Sequence, residues 1–253
     1  MDKIALITDI HGNMPALETV LADIKQRGID LIYNLGDLVG KGPSSAQVLD
    51  RCREVCQVIV RGNWDDGIAR EADDPIALWY RAQLGEARLD YLRNLPNVHD
   101  FRLSGKHVRL YHASAKSEHH RVHPGSGDEA LQGMFDNTPF TGFENPAPDI
   151  VAYGDIHGAY MLTVDVADQT KTLLNAGSVG NPLDLPLATY VILTGVLESQ
   201  SAAPLSIDFV RLPYDIEATA AQAREVGLPD IDAYIVELRT AVYRRFQKKT
   251  STP

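Results

Sequence analysis

The sequence predicts an α/β protein built from two packed mixed β-sheets flanked by helices. Two observations carry this reading. Over residues 3–60, short apolar runs alternate with amphipathic stretches through short links, the strand–helix–strand–helix–strand order of a parallel sheet. From Val98 onward strand-like segments become frequent, and Gly105-Lys106 and Asp168-Gln169 read as hairpin turns, which adds antiparallel pairing.

The opening run Lys3-Ile4-Ala5-Leu6-Ile7 is β-branched at Ile4 and Ile7 and suits a buried strand. Residues 15–27 place Leu17, Val20, Leu21 and Ile24 at helical spacing, with Asn13 able to cap the start and Gly28 just past the end. A second strand is expected at 31–34, a helix from Ser44 or Ser45 to about Arg53, and a third strand at 57–60. Residues 66–95 change character: 76–80 and 87–92 read as helices, broken by Asp73-Asp74-Pro75 and closed by Pro96. Strands are then expected near 98–103, 106–111, 150–153, 160–166, 171–174, 187–196 and 205–211, and helices over 128–136, 216–225 and 230–247. The proline-bearing stretch 137–149 reads as a loop. The expectation is one domain over 1–253, with a helical insertion at about 66–95 and a C-terminal helical extension at about 215–250.

At 253 residues, 44% hydrophobic and 23% charged, the chain has apolar material for a sizeable core. A formal net charge of −10 argues against a broad nucleic-acid surface, which needs Lys and Arg to neutralise phosphates. It leaves room for a local phosphate pocket whose positive charge comes from metal ions. Cys52 and Cys56, four apart, are expected to be reduced and packed. Met1-Asp2-Lys3 leads straight into a strand, and no run of about 18 apolar residues occurs. The expected setting is cytoplasmic, without membrane contact, and nothing in the residues specifies an oligomer.

Five polar clusters follow expected strands: Asp9/His11, Asp37, Asn63, His112 and Asp155/His157. In α/β sheets, binding residues gather at the carboxyl ends of strands. Brought to one edge, these clusters supply three carboxylates, one amide oxygen and three imidazoles, more than one ion needs and about right for two. Asp37 stands alone in its loop and is the natural bridge, while Gly36, Gly40 and Gly154 let backbone approach closely. Oxygen and imidazole donors together suit Mn, Fe or Zn.

These blocks resemble the calcineurin-like metallophosphoesterases, whose signature runs D-x-H, G-D, G-N-H-[DE], H and G-H-x-H. The chain has Asp9-Ile10-His11, Gly36-Asp37, Gly62-Asn63-Trp64-Asp65, Tyr111-His112 and Gly154-Asp155-Ile156-His157. Asn175-Ala176-Gly177-Ser178-Val179-Gly180-Asn181-Pro182 is similar to the N-P-G-S-V-G turn of the small bacterial and archaeal phosphodiesterase branch. The resemblance spans residues 3 to about 211 and implies a four-layer αββα sandwich. It would place Asp9, His11, Asp37 and His157 on a first metal, and Asp37, Asn63, His112 and Asp155 on a second. It implies hydrolysis of phosphodiesters, nucleotides or other small phosphoesters by a metal-bridging hydroxide, with Asp37, Asn63 and His112 as catalytic groups.

Two departures from the signature have chemical consequences. Trp64 replaces the His that protonates the leaving group in the protein-phosphatase branch, so good leaving groups such as aryl or nucleotide phosphates should be preferred. Asp155 replaces a usual His, making the second position richer in oxygen and favouring Mn, Fe or Mg, with Zn also compatible. Among nearby residues, Arg61 is a candidate for substrate contact, with carboxylate pairing as its alternative, and His119, His120 and His123 are candidates for substrate contact or for the missing acid, with incidental surface as theirs. Ser178 and Asn181 should shape the pocket. Asp65-Asp66 and the run from Glu71 to Asp74 read as a solvated helix boundary, and Lys248-Lys249 as a frayed end. Alternatives to a small-phosphoester hydrolase are a metal-poor scaffold or interaction protein that keeps the fold, and a phosphoprotein phosphatase. A nuclease is disfavoured by the acidic balance.

Overall fold

The computed structural model describes residues 1–70 and 73–246. Its strands are β1 (Asp2–Ile7), β2 (Leu31–Asn34), β3 (Val58–Ile59), β4 (Val98–Leu103), β5 (Lys106–Tyr111), β6 (Ile150–Tyr153), β7 (Ala159–Val166), β8 (Gln169–Ala176), β9 (Ala188–Gly195) and β10 (Ser206–Leu212). Its α-helices are α1 (Met14–Gln26), α2 (Ser45–Val55), α3 (Asn63–Ala69), α4 (Pro75–Leu84), α5 (Glu86–Arg93), α6 (Asp128–Gln132), α7 (Ile216–Glu225) and α8 (Ile231–Thr240).

Two five-stranded mixed sheets result, in the orders β10-β9-β1-β2-β3 and β4-β5-β6-β8-β7. β1 is central because it is apolar on both faces. Ile4 and Leu6 enter the layer between the sheets, where they join Val108 and Leu110 of β5 and Leu174 of β8. Ala5 and Ile7 face the helical side with Leu17, Val20 and Ile24 of α1. The outer face of the second sheet is covered more thinly, by Met134 and Phe135 against Tyr111, Val151 and Leu173. Burial on both faces explains why β1 and β6 read as unbroken apolar runs rather than alternating ones.

β1, β2 and β3 run parallel, as do β5, β6 and β8. Their carboxyl ends meet at one edge. There the Gly154 N–H donates to His112 O at 2.8 Å, and the Gly180 N–H to Asp9 O at 3.0 Å. Asn13 caps α1 by accepting the Ala16 N–H at 3.2 Å, as expected for an Asn just before a helical run. Cys52 is buried, Cys56 is partly so, and both are free.

Several boundaries differ from expectation. The expected strand at 57–60 reduces to two paired residues, and helix begins already at Asn63. The expected helix at 128–136 ends as a 3₁₀ turn over Gly133–Phe135. The last helix stops at Thr240 instead of reaching 247. Glu237 is the cause: its carboxylate accepts the Arg244 N–H at 2.9 Å and the guanidinium at 2.9 and 3.0 Å, folding the chain back through a left-handed Ala241. Glu71 and the Lys248-Lys249 tail lie outside the described residues. Among the described residues no helix is long and apolar enough to cross a membrane.

Candidate metal centre

At the shared sheet edge the chain leaves β1 through Asp9 and His11, β2 through Asp37, β5 at His112 and β6 through Asp155 and His157. Asn63 opens α3. Asp9, His11, Asp37, Asp155 and His157 all hold left-handed φ values, between 48° and 64°. Such values are uncommon for residues with a Cβ, Asp and His being among those that tolerate them better, and clusters of them mark sites where geometry is imposed. Each carboxylate and imidazole is thereby turned back into the interior. All five are buried, as is His112.

The side chains converge. His11 Nε2 lies 3.2 Å from His157 Nε2, 3.4 Å from Asp37 Oδ2 and 3.7 Å from Asp9 Oδ1. His157 Nε2 is 3.0 Å from Asp9 Oδ1. His112 Nε2 is 3.4 Å from the same Asp37 Oδ2, 3.0 Å from Asn63 Oδ1 and 4.0 Å from Asp155 Oδ1. Asp37 Oδ2 therefore sits between two imidazoles, while its Oδ1 accepts the Trp64 N–H at 2.8 Å. The rings are oriented by the backbone: His11 Nδ1 faces Val39 O at 3.1 Å, His112 Nδ1 faces Leu35 O at 2.8 Å, and His157 Nδ1 faces Asn181 O. A carbonyl can only accept, so each Nδ1 carries the proton and, in the neutral ring, each Nε2 presents a lone pair.

Lone pairs facing carboxylate oxygens need a cation between them. Asp9 Oδ1 is buried with no hydrogen-bond partner, a costly state unless an ion occupies its free side. Asp9, His11 and His157 offer ligand atoms within 4.8 Å of one another, and so do Asp9, Asp37 and His112. For Asp9 and His11 the electrostatics agree, a charged carboxylate facing a neutral ring, whereas His112 is held by its carboxylates as a cation that an entering ion must deprotonate. Burial alone would raise the Asp9 carboxyl, but facing His157, His112 and His11 hold it well below the usual carboxylate range. Burial, then the Lys41 and His157 charges, push His11 well below the usual imidazole value. Burial lowers His112 as well, yet Asp37, Asp9 and Asp155 outweigh it and raise it well above that value.

The remaining candidates divide. Arg61 does not reach the centre: it contacts Asn97 Oδ1 at 2.9 Å, the Arg93 carbonyl at 3.1 Å, and Glu118 at 3.1 Å. Carboxylate pairing is thus the observed alternative for Arg61. His119 Nε2 is tied to Asp66 at 2.8 Å. Asp66, Glu118 and His119 form a third donor group, but Arg61 and Arg70 already neutralise it. His120 is exposed. His123 lines a cavity of about 600 Å³ beside Asp155 and His157. Ser178 Oγ donates to Asp9 O at 2.7 Å, which ties its turn to the centre.

The expected solvated boundary at Asp65-Asp66 is wrong, because both carboxylates are buried. Asp65 accepts the N–H groups of Asp37 at 2.8 Å, Leu38 at 3.0 Å and Gly62 at 3.0 Å. It pins the Asp37 loop to the start of α3. Two further residues were not signalled by the sequence. Lys41 Nζ lies 3.4 Å from His157 Nε2 and donates to Asn181 Oδ1 at 3.0 Å. Arg121 forms a two-point ion pair with Asp155. The flanking Gly40 and Gly42 mark Lys41 as a tight turn but say nothing of what its amine faces. Arg121 hides among three loop histidines.

Comparisons with known proteins identify the family and the fold. Residues 2–196 match the model of the calcineurin-like phosphoesterase superfamily domain. An uncharacterized protein of Methanocaldococcus jannaschii is 30% identical over 247 residues, covering 90% of this chain and 94% of that one. The crystal structure of a metallophosphoesterase from Sphaerobacter thermophilus superposes with a TM-score of 0.74 at 27% identity, covering 95% of this chain and 100% of that one. The phosphodiesterase YfcE of Escherichia coli is 33% identical over 164 residues, 54% of this chain and 89% of its own.

Proposed function

The chain belongs to the calcineurin-like phosphoesterase superfamily, and from that premise we propose that it hydrolyses small phosphoesters, phosphodiesters and nucleotides foremost, at a two-cation centre. One observation carries the reading: three imidazoles, each with Nδ1 on a backbone carbonyl, aim Nε2 at carboxylates that include the unpartnered Asp9 Oδ1. Asp9, His11, Asp37 and His157 would hold one ion. Asp37, Asn63 and His112 would hold the other, with Asp155 beside them. When bound, such ions supply acidified water as nucleophile and neutralise charge on the phosphoryl group. The mixed oxygen and nitrogen donors suit Mn, Fe or Mg, with Zn also compatible.

The chain's own residues do the rest. Lys41 and Arg121 line the 600 Å³ cavity on the solvent side of His157 and Asp155, where their cations can meet phosphate oxygens. Trp64, Tyr243 and Phe246 add apolar wall. A cavity of this size fits a small molecule better than a folded phosphoprotein segment. The Trp64 ring stands edge-on to His11 with centroids 5.7 Å apart, and an indole cannot give up a proton to a leaving oxygen.

The test is hydrolysis of a series of aryl and alkyl phosphodiesters with Mn, repeated after chelation. Chelation is expected to abolish turnover. Rates should fall steeply as leaving-group pKa rises, with poor leaving groups slower by about 10²–10⁴-fold than an enzyme with a proton donor would allow. A flat dependence would contradict the absence of a donor; activity untouched by chelation would contradict the metal centre.

A further inference from the structure

Asp155 is the least available of the candidate ligands. Its Oδ2 accepts from Arg121 Nε at 2.8 Å and its Oδ1 from Arg121 Nη2 at 2.6 Å, so both oxygens are engaged. The Asp155 side chain is 3% exposed and that of Arg121 47%. The partner arrives from a loop 34 residues away that is itself anchored. Val122 is buried and its carbonyl accepts the Tyr153 hydroxyl at 2.8 Å, so the guanidinium is not carried on a loose tip. A parallel two-point guanidinium–carboxylate pair is among the stronger polar contacts, and its charge repels a divalent ion approaching the same oxygens.

We propose that Arg121 is an internal competitor for the second cation, so that the two cation positions are unequal in affinity. At the position nearest Asp9, His11 and His157, Lys41 Nζ stands 3.4 Å from His157 Nε2, but among the described residues the Asp9 and Asp37 carboxylates accept only neutral hydroxyl and backbone N–H donors and stay open to an ion. The position at Asp37, Asn63 and His112 has three donors, one a neutral amide, and gains a fourth only when Asp155 leaves Arg121. The ordinary resting state then carries one tightly held ion, and the second enters against the ion pair. This rests on the two-cation reading above and refines it.

Equilibrium dialysis and calorimetric titration of the full chain with Mn test it, on wild type, Arg121→Ala and Arg121→Gln. Wild type should bind one ion tightly and a second at least about tenfold more weakly. Both substitutions should tighten the second ion by about ten- to a hundredfold, the span typical of groups that contact a metal ligand, and leave the first unchanged. Arg121→Lys, which keeps the charge but loses the fork, should lie between. The melting temperature and first-ion affinity report whether each variant is folded. Two equally tight ions in wild type, or a second ion unchanged or weakened in both Arg121 variants, would overturn the competition alone. No tight Mn in any protein, wild type included, would overturn the two-cation reading and the competition with it.

Discussion

Replacing Asp37 by alanine is expected to release both cations and to lower phosphodiester turnover by at least about 10³-fold, since charge stabilisation around the phosphoryl group is usually the largest catalytic contribution. Asp37 Oδ2 lies between His11 and His112, at 3.4 Å from each Nε2. Asp9 also reaches the His112 group but lies nearest His157, and Asp65 is committed to backbone N–H groups. Asp37→Asn separates ligand loss from misfolding, because an amide oxygen can still accept the Trp64 N–H while the charge is gone. Metal content and turnover, both measured in excess Mn, decide the matter. Retention of two ions and full rate in the alanine variant would sink the bridging assignment.

Gly62→Ala is expected to cost nearly as much activity, about 10²-fold or more, through geometry rather than chemistry. A Cβ at Gly62 would overlap the Asp37 backbone nitrogen and its Oδ1. Backbone cannot swing aside, so the Asp37 loop must shift relative to α3, a strain of roughly 1–3 kcal/mol by analogy with overpacked cores. For a chain of this size that lowers the melting temperature by about 2–4 °C per kcal/mol. Gly67→Ala, five residues along and inside α3, which Gly62 precedes, is the matched control. A Cβ there meets nothing within 4 Å, and a helical Gly→Ala change should stabilise by about 0.4–1 kcal/mol with turnover intact. Equal behaviour of the two variants in thermal melts and assays would remove the close-approach argument.

Gly154 makes the same point on the second sheet. A Cβ there would overlap Thr8 Oγ1 and Asp9 Oδ2. The Gly154 backbone thus packs directly on the Thr8 and Asp9 side chains of the other sheet, and the precision of the centre depends on the register of each sheet.

Much of the fold was legible because its signals are local. The spacing of Leu17, Val20, Leu21 and Ile24 marks one helix face wherever that helix packs. The apolar run of β1 implies burial on both sides whatever covers it. The ends of elements were less legible, and α8 shows why. Its last turn is ended by Glu237 reaching a guanidinium and an N–H seven residues on, a contact no periodicity encodes.

Residue chemistry alone also placed Asp and His pairs after strands, and chain order sufficed to connect them to a phosphoesterase family. What only tertiary structure decided was pairing. Two arginines lie near the centre in sequence; Arg61 turns away to Glu118 while Arg121 reaches Asp155. Asp65 looked like surface and is a buried brace for the Asp37 loop. A side chain's type and local spacing follow from its own segment. Which charge it faces depends on the register of two sheets and on loops closing over 28 to 34 residues. That register is set by the packed core, not by neighbours in the chain.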